Sequence, residues 1–265
     1  MKNKDLEGKT VVITGASGGL GEYIAYKCAE NKARLFLLAR NEDRLNRVAN
    51  RIREEHGIDC TVMALDVSDL RKIPSIFERI YEEVEAIDVL INNAGYGIFA
   101  EAEDLKLTDL ERMFSINVLG LISCTKAVIP SMRKRQFGHI INIASQAGKL
   151  ATPKSSAYAA TKHAVLGFTN SLRMEMVRFG VYVTAVNPGP IRTEFFRYTD
   201  PEGAYLENLG RVVLEPEKVA EKIVQVIFTK KREINLPWWM NWTSILHTLM
   251  PNTVERLGRK AFFKK

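Results

Sequence analysis

The chain of 265 residues is 46% hydrophobic and 26% charged, and its formal net charge is +7 at pH 7. These values fit one globular domain with a sizeable core. The three cysteines and four histidines lack the spacing of a disulfide framework or a metal site, so we expect neither, and we expect no nucleic-acid partner.

Residues 1–9 have no apolar core typical of a signal peptide, which together with the cysteine usage favours a reducing, cytoplasmic location. Apolar runs then alternate with stretches of helical periodicity. Strands are predicted at 10–15, 34–40, 60–68, 87–95, 138–145, 181–189 and near 232–237. Helices are predicted at 21–32, 42–57, 73–85, 110–135, 156–180 and 216–231. This alternation predicts an α/β fold with a doubly wound parallel sheet (a Rossmann fold) in one domain.

The first predicted strand is followed by a glycine-rich turn, TGASGGLG. Glycines permit close approach of the backbone to phosphate, and the next helix supplies free N–H groups. The spacing differs from G-x-G-x-x-G, and no P-loop lysine follows. We favour dinucleotide binding over an ordinary glycine-rich turn. The candidate residues are Gly15, Ser17, Gly18, Gly19, Leu20 and Gly21.

Arg40 ends the second predicted strand, where a unit that prefers NAD usually has an acidic residue for the ribose hydroxyls. The first acid comes only at Glu42. A guanidinium would bind a 2′-phosphate through charge-assisted hydrogen bonds, and Ser17 could add a hydroxyl. We therefore predict that NADP(H) is preferred over NAD(H), with a plain surface arginine as the alternative.

Three polar residues suggest catalysis: Ser145 at the end of the fifth strand, and Tyr158 and Lys162 in YAATK. Tyr158 and Lys162 are four residues apart and share one face of a helix. A nearby ammonium lowers the pKa of a tyrosine from about 10 towards the working range, which makes Tyr158 a candidate general acid/base. Ser145 could hydrogen-bond the same substrate oxygen. Taken alone, Y-x-x-x-K is a weak signal.

As a set, these motifs resemble the short-chain dehydrogenase/reductase family. The matching segments are TGASGGLG (14–21), NNAG (92–95), Asn117 in FSINVLG, the set Ser145, Tyr158 and Lys162, and NPGPIRT (187–193). The resemblance covers about residues 7–233 in the family's order. It implies an NAD(P)(H)-dependent oxidoreductase acting on a small carbonyl or alcohol substrate, usually as a homodimer or homotetramer. LAR at strand two resembles the NADP-preferring members.

The resemblance also implies roles for the matching residues. Tyr158 exchanges a proton with the substrate oxygen, Lys162 lowers its pKa and holds the nicotinamide ribose, and Ser145 orients that oxygen. Asn117, the fourth catalytic residue, supports a water chain to Lys162 through its helix backbone. Further residues implied along the cofactor are Asp66, Val67, Asn93, Ala94, Gly95, Pro188, Gly189, Ile191 and Thr193. Each also has an ordinary structural interpretation when taken alone.

Residues 1–233 are expected to form the dinucleotide-binding and catalytic domain, with a variable substrate lid at 194–210. An apolar pocket could be lined by Phe195, Phe196, Tyr198, Tyr205 and Leu206 of this segment, which favours a hydrophobic substrate. The segment could equally pack on its own domain. Residues 234–265 hold three tryptophans and a basic end. We expect this extension to pack on the domain or on a partner subunit, ahead of peripheral membrane contact. The alternatives to an enzyme are a non-catalytic dinucleotide sensor and a membrane-surface protein on the same fold.

Overall fold

The computed structural model describes residues 5–196 and 212–262. Seven parallel strands form one sheet in the order β3-β2-β1-β4-β5-β6-β7. The strands are β1 (Thr10–Thr14), β2 (Arg34–Ala39), β3 (Cys60–Ala64), β4 (Val89–Asn92), β5 (Gly138–Ile143), β6 (Val181–Pro188) and β7 (Glu233–Leu236). The order runs outward in two directions from β1 and β4, which confirms the predicted doubly wound fold.

Helices cover both faces of the sheet. They are α1 (Gly19–Glu30), α2 (Glu42–His56), α3 (Lys72–Glu83), α4 (Leu107–Phe114), α5 (Leu121–Arg135), α6 (Ser156–Met176), α7 (Pro216–Gln225), α8 (Trp239–Leu249) and α9 (Pro251–Phe262). Alternate residues of β1 show the two faces: Val11 and Ile13 join one core cluster with α1, α2 and α7, while Val12 joins another with α3, α5 and α6. The middle of β1 is therefore apolar on both faces because both are buried against helices.

Several predicted boundaries differ from the observed ones. The helix predicted at 110–135 begins earlier, at Leu107, and widens into a π-helical turn at Ser115–Gly120 between α4 and α5. The helix predicted at 216–231 ends at Gln225, where the backbone tightens into turns. Apolar periodicity continues through these points, so the sequence pattern alone gave no signal of the change.

The continuous helical stretch Leu107–Arg135 is long and apolar enough to span a bilayer by length and composition. Half of its most apolar window is buried inside the protein. Its inward face packs against the sheet, as Cys124, Val128 and Met132 show. This apolar character is that of a core helix of an α/β fold, so it is weak evidence for a membrane span.

Candidate active site

The carboxyl ends of the strands open into one cavity of about 1360 Å³. Parallel strands end at the same edge of the sheet, so loops from distant parts of the chain meet there. The predicted site residues that line this cavity are Gly15, Ser17, Gly18, Gly19, Leu20, Arg40, Asp66, Val67, Asn93, Ala94, Gly95, Ser145, Tyr158, Lys162, Pro188, Gly189, Ile191 and Thr193. Two further predicted residues, Gly21 and Asn117, lie behind the wall and are buried.

The turn between β1 and α1 has a shape that only glycine permits at two positions. Gly15 has a φ of 67°, in the left-handed region, and a β-carbon there would lie 2.8 Å from the Cα of Ala94. A β-carbon on Gly21 would collide with the carbonyl oxygen of Gly15. Gly21 thus acts through close packing rather than by contact with a ligand. The turn presents main chain and the N-terminal end of α1 to the cavity, a setting suited to phosphate.

Asn93 joins the end of β4 to the turn after β1. Its Nδ2 donates to the carbonyl oxygens of Thr14 and Gly15, at 3.1 Å in each case. The backbone N–H groups of Asn93 and Ala94 both donate to Oγ1 of Thr14 at 3.0 Å. These N–H groups bond to a side chain instead of to a neighbouring strand. The strand predicted to reach residue 95 therefore ends at Asn92. Asn93 therefore shapes the glycine turn as well as lining the cavity.

Arginine side chains stand at the end of the cavity beyond β2. Nη1 of the exposed Arg40 lies 4.0 Å from Oδ2 of Asp66. Arg44 also lines the cavity and pairs with Glu194 at 2.9 Å. Burial raises the pKa of Asp66, but hydrogen bonds from Ser68 and the nearby arginine charges outweigh it, so this pKa lies below its ordinary value. Both guanidinium groups are placed to meet an anion at this end of the cavity.

Tyr158 and Lys162 lie one turn apart on α6, and both face the cavity. Nζ of Lys162 is 5.7 Å from the centroid of the Tyr158 ring and donates to the carbonyl oxygen of Ile143 at 3.0 Å. Burial lowers the pKa of Lys162 from 10.5 to about 8. When protonated, this buried amine places a positive charge beside the phenol, where it favours a negative oxygen.

Ser145 follows β5 and begins a short 3₁₀ turn, Gln146–Gly148. Its Oγ accepts a hydrogen bond from the backbone N–H of Ala147 at 3.0 Å. The hydroxyl donates to the carbonyl oxygen of Pro188 at 3.4 Å, which is long for an O–H donor. The oxygen is thus fixed on the cavity wall while its proton can turn towards a substrate oxygen at little cost.

The side chain of Asn117 is buried behind the cavity wall. Its Oδ1 accepts from the N–H of Tyr96 at 2.8 Å, and its Nδ2 donates to the carbonyl oxygen of Tyr96 at 2.7 Å and to Oγ1 of Thr161 at 3.0 Å. The side chain fastens the loop after β4 to α6, next to Lys162. This geometry gives Asn117 a positioning role, and the expected water chain through its backbone stays a prediction.

Aromatic rings surround the phenol. The rings of Phe99 and Phe195 are centred 5.7 and 5.9 Å from that of Tyr158, and Phe196 packs against both phenylalanines. The structure places Phe195 and Phe196 on the cavity wall, as expected of an apolar lid. Other residues that the sequence suggested for this lid, Tyr198, Tyr205 and Leu206, lie outside the described residues.

Part of the cavity wall was not predicted. It includes Arg44, Tyr96, Phe99, Gln146, Leu150, Trp239, Met240, Thr243, Leu246, Val254 and Leu257. Arg44 lies in the first turn of α2, close in sequence to Arg40, and this proximity was a usable signal. The residues of α8 and α9 belong to no motif, and their place at the cavity follows from packing between segments distant in sequence.

A partly buried ion pair fastens the C-terminal extension to the loop after β5. Nζ of Lys149 donates to Oε1 of Glu233 in β7 at 2.9 Å and to Oδ1 of Asn241 in α8 at 2.8 Å. Burial raises the pKa of Glu233, but Lys149 and Asn235 outweigh it, so this pKa lies below its ordinary value. The loop that carries Ser145 therefore also holds α8 in place.

The sequence matches the short chain dehydrogenase family over residues 9–203. A dehydrogenase/reductase SDR family protein 7-like of Anopheles gambiae is 39% identical over 272 residues, which cover 96% of this chain and 86% of that protein. An NADP-dependent 3-hydroxy acid dehydrogenase of Schizosaccharomyces pombe is 36% identical over 224 residues, which cover 83% of this chain and 86% of that protein. A short-chain dehydrogenase from Sphingobium yanoikuyae in complex with NADPH has a TM-score of 0.79 at 28% identity, over 92% of this chain and 96% of that one.

These similarities agree with the architecture built up from the residues. The match to the family spans the glycine turn, the strand-four motif and the Ser145, Tyr158 and Lys162 set. The structural likeness extends over nearly all of this chain. The resemblance noted from the motifs is thereby confirmed: the chain belongs to the short chain dehydrogenase family and is an oxidoreductase.

Proposed function

We propose that the chain transfers a hydride between NADP(H) and an apolar carbonyl/alcohol substrate, with Tyr158 as general acid/base. The observation that carries this proposal is the meeting of Tyr158, Lys162 and Ser145 at one cavity, with the amine 5.7 Å from the centre of the phenol ring. Carbonyl reduction needs a proton donor, a charge that stabilises the anion left behind, and a group that orients the substrate oxygen. These three side chains supply them.

Tyr158 moves the proton. In reduction its hydroxyl gives a proton to the carbonyl oxygen, and in oxidation its phenolate takes one from the alcohol. The Lys162 ammonium stabilises the phenolate because opposite charges attract more strongly where water is excluded. Ser145 donates a hydrogen bond to the substrate oxygen and so keeps it in reach of the phenol.

The residues at the cavity fit a dinucleotide, which supplies the hydride when bound. The glycine turn offers bare main chain at a helix N-terminus, where phosphate binds well. Lys162 would hold the nicotinamide ribose, and Ile191 and Thr193 would meet the carboxamide. Asp66 and Val67 would flank the adenine, and Asn93 would keep the glycine turn in shape. This assignment follows the family resemblance and the cavity lining together.

NADP(H) is the cofactor that the charges favour. Arg40 and Arg44 face the cavity where an acidic residue would stand in a protein built for NAD, and a guanidinium binds a 2′-phosphate through paired hydrogen bonds. Support also comes from the relatives, since the Schizosaccharomyces pombe protein is named NADP-dependent and the Sphingobium yanoikuyae structure holds NADPH.

The substrate side of the cavity favours an apolar molecule. Phe99, Phe195 and Phe196 surround the phenol, and Leu150 and Met240 add aliphatic surface. Such walls bind by removing apolar area from water, while the few polar groups fix orientation. A steroid, fatty acyl or aromatic carbonyl has the surface that this wall would cover.

A substrate screen tests the proposal. The parent protein is incubated with NADPH or NADH and a panel of apolar and polar ketones and aldehydes, and cofactor oxidation is followed by absorbance. We expect turnover of apolar carbonyls, faster with NADPH than with NADH. Tight NADPH binding without turnover of any carbonyl or alcohol would instead favour the alternative, a dinucleotide sensor without catalysis.

We also propose a cytoplasmic location and a homodimer or homotetramer. The three cysteines are unpaired and buried, which suits a reducing compartment. The oligomeric state follows from the family resemblance. Light scattering coupled to gel filtration measures the state directly.

A further inference from the structure

The outer surface of α8 carries an apolar stripe, which we define as Trp238, Trp242, Ile245 and Leu249. Their spacing of four, three and four residues places them on one face of the helix. Their exposures are 70%, 64%, 41% and 74% in that order. Leu257 in α9, 80% exposed, adds to the apolar surface of the hairpin formed by the two helices.

Most of this apolar surface stays exposed to solvent in the folded chain. Of the 13 exposed large hydrophobic side chains among the described residues, eight lie between Trp238 and Leu257. Ser244 is the buried residue of α8. Exposed apolar side chains gathered into one patch mark a contact surface, because leaving them in water is unfavourable.

We propose that the apolar stripe docks this protein onto the surface of an anionic lipid bilayer. Residues 234–265 hold five basic residues and one acidic residue. Two copies of this cationic segment repel each other, whereas acidic lipid headgroups attract it. Tryptophan prefers the boundary between headgroups and acyl chains, and two of the four stripe residues are tryptophans.

The stripe continues directly into the cavity mouth. Trp239 and Leu246 stand beside it on the same helix and line the cavity, as does Leu257 from α9. Docking would therefore turn the apolar entrance towards the bilayer, and an apolar substrate could enter without crossing water. This consequence rests on the proposed function, whereas the docking itself does not.

The natural tryptophans provide the test. All three lie within residues 238–242, so their fluorescence reports on this segment alone. We expect a blue shift when the parent protein is titrated with vesicles of phosphatidylcholine and phosphatidylglycerol, and quenching when the lipids carry bromine on their acyl chains. Binding should weaken on pure phosphatidylcholine and at high salt, because the charge attraction is lost or screened.

A double variant, Ile245→Ser with Leu249→Ser, removes half of the stripe and keeps every tryptophan. We expect its apparent affinity for the mixed vesicles to fall by at least about tenfold, since two large side chains no longer enter the bilayer. The matched control is Leu107→Ser with Val177→Ser, which replaces side chains that are 73% and 71% exposed on other helices. This control should bind vesicles like the parent.

Three results would overturn the proposal: no blue shift with mixed vesicles at low salt, equal loss of binding in the stripe and control variants, or equal binding to neutral and anionic vesicles. Light scattering on each variant adds a further check. If the stripe variant dissociates an oligomer while the parent binds no vesicles, the stripe is a subunit contact. Turnover of a water-soluble carbonyl in the same samples shows separately whether the proposed function holds.

Discussion

The carboxyl edge of the sheet and the C-terminal hairpin of α8 and α9 differ in which side chains they bury. At the edge, buried polar groups donate hydrogen bonds inside the protein: Nδ2 of Asn92 donates to Thr125 and Asn142, and Lys162 donates to Ile143. On α8, apolar groups such as Trp242 and Leu249 are exposed.

Both arrangements cost free energy in an isolated domain, and each is informative for that reason. A buried amine beside a phenol indicates chemistry, because desolvation and a neighbouring charge set the protonation states. An exposed apolar stripe indicates contact with something that excludes water. If the two regions are as separate in function as they are in structure, a change in one should leave the other unaffected.

Lys162→Met should have the largest effect of these changes. Turnover with NADPH should fall by about 10²–10⁴, because the phenolate of Tyr158 loses the charge that stabilises it. NADPH affinity should fall too, since the same amine would hold the ribose. Steady-state kinetics and fluorescence titration measure the two effects, with Lys126→Met, an exposed lysine on α5, as the matched control. Unchanged kinetics in Lys162→Met would show that the buried amine takes no part in catalysis.

Lys162 should also make stability depend on pH at the sheet edge. Its pKa is about 8 in the folded protein and 10.5 in the ordinary state. Between these values the unfolded chain binds more protons, so the free energy of unfolding should rise with pH. Relative to Lys162→Met, the parent should gain up to about 3 kcal/mol across this window.

Urea unfolding of the parent and of Lys162→Met, below pH 8 and above pH 10.5, measures this gain. The exposed Lys126→Met should instead follow the parent at both pH values. A constant difference between the parent and Lys162→Met would mean that the amine titrates normally and is solvated in the fold.

Arg40→Ala should weaken the binding of NADPH and leave the proton transfer by Tyr158 unchanged. Loss of a charge-assisted hydrogen bond is worth about 1.5–3 kcal/mol, so NADPH affinity should fall by about ten- to a hundredfold while NADH affinity stays the same. Arg44→Ala should act in the same direction. Parallel titrations with both cofactors check this, and equal affinities for NADPH and NADH in the parent would contradict the preference.

The smallest effect is expected on the hairpin. Ile245→Ser with Leu249→Ser should change the free energy of unfolding by no more than about 0.5 kcal/mol per site, because neither side chain is buried. Turnover of a water-soluble substrate should also stay at the parent level. A loss of several kcal/mol in the free energy of unfolding would show that the stripe is packed in solution, for example against a second chain. The hairpin would then not be an exposed contact surface.

Much of the sheet edge could be predicted because its residues follow local rules. Apolar runs bounded by glycine and polar residues indicated the strands, and the glycine turn, NNAG, Ser145 and NPGPIRT fall where strands end. Tyr158 and Lys162 were placed correctly on one wall because helical spacing alone brings them together. Gly15 and Gly21 were recognised as special, although the contacts that require them, with Ala94 and with the turn itself, appear only in three dimensions.

The rest depends on packing between distant segments. The side chain of Asn117 binds the backbone of Tyr96 and the hydroxyl of Thr161, and these partners could not be predicted from the sequence. Met240 and Leu246 belong to no motif, and they reach the cavity because Lys149 ties α8 to the loop after β5. Composition could show that the extension is apolar and basic, but not which of its faces the fold would cover.

The most direct test of Tyr158 as the proton donor compares Tyr158→Phe with Tyr182→Phe. The second variant removes the same hydroxyl from a tyrosine of β6 outside the cavity wall. NADPH binding is titrated and turnover of the best apolar carbonyl is measured for both variants. We expect both variants to bind NADPH like the parent, while turnover falls by about 10²–10⁴ in Tyr158→Phe alone. Parent-like turnover in Tyr158→Phe would contradict the assignment of the phenol as the proton donor.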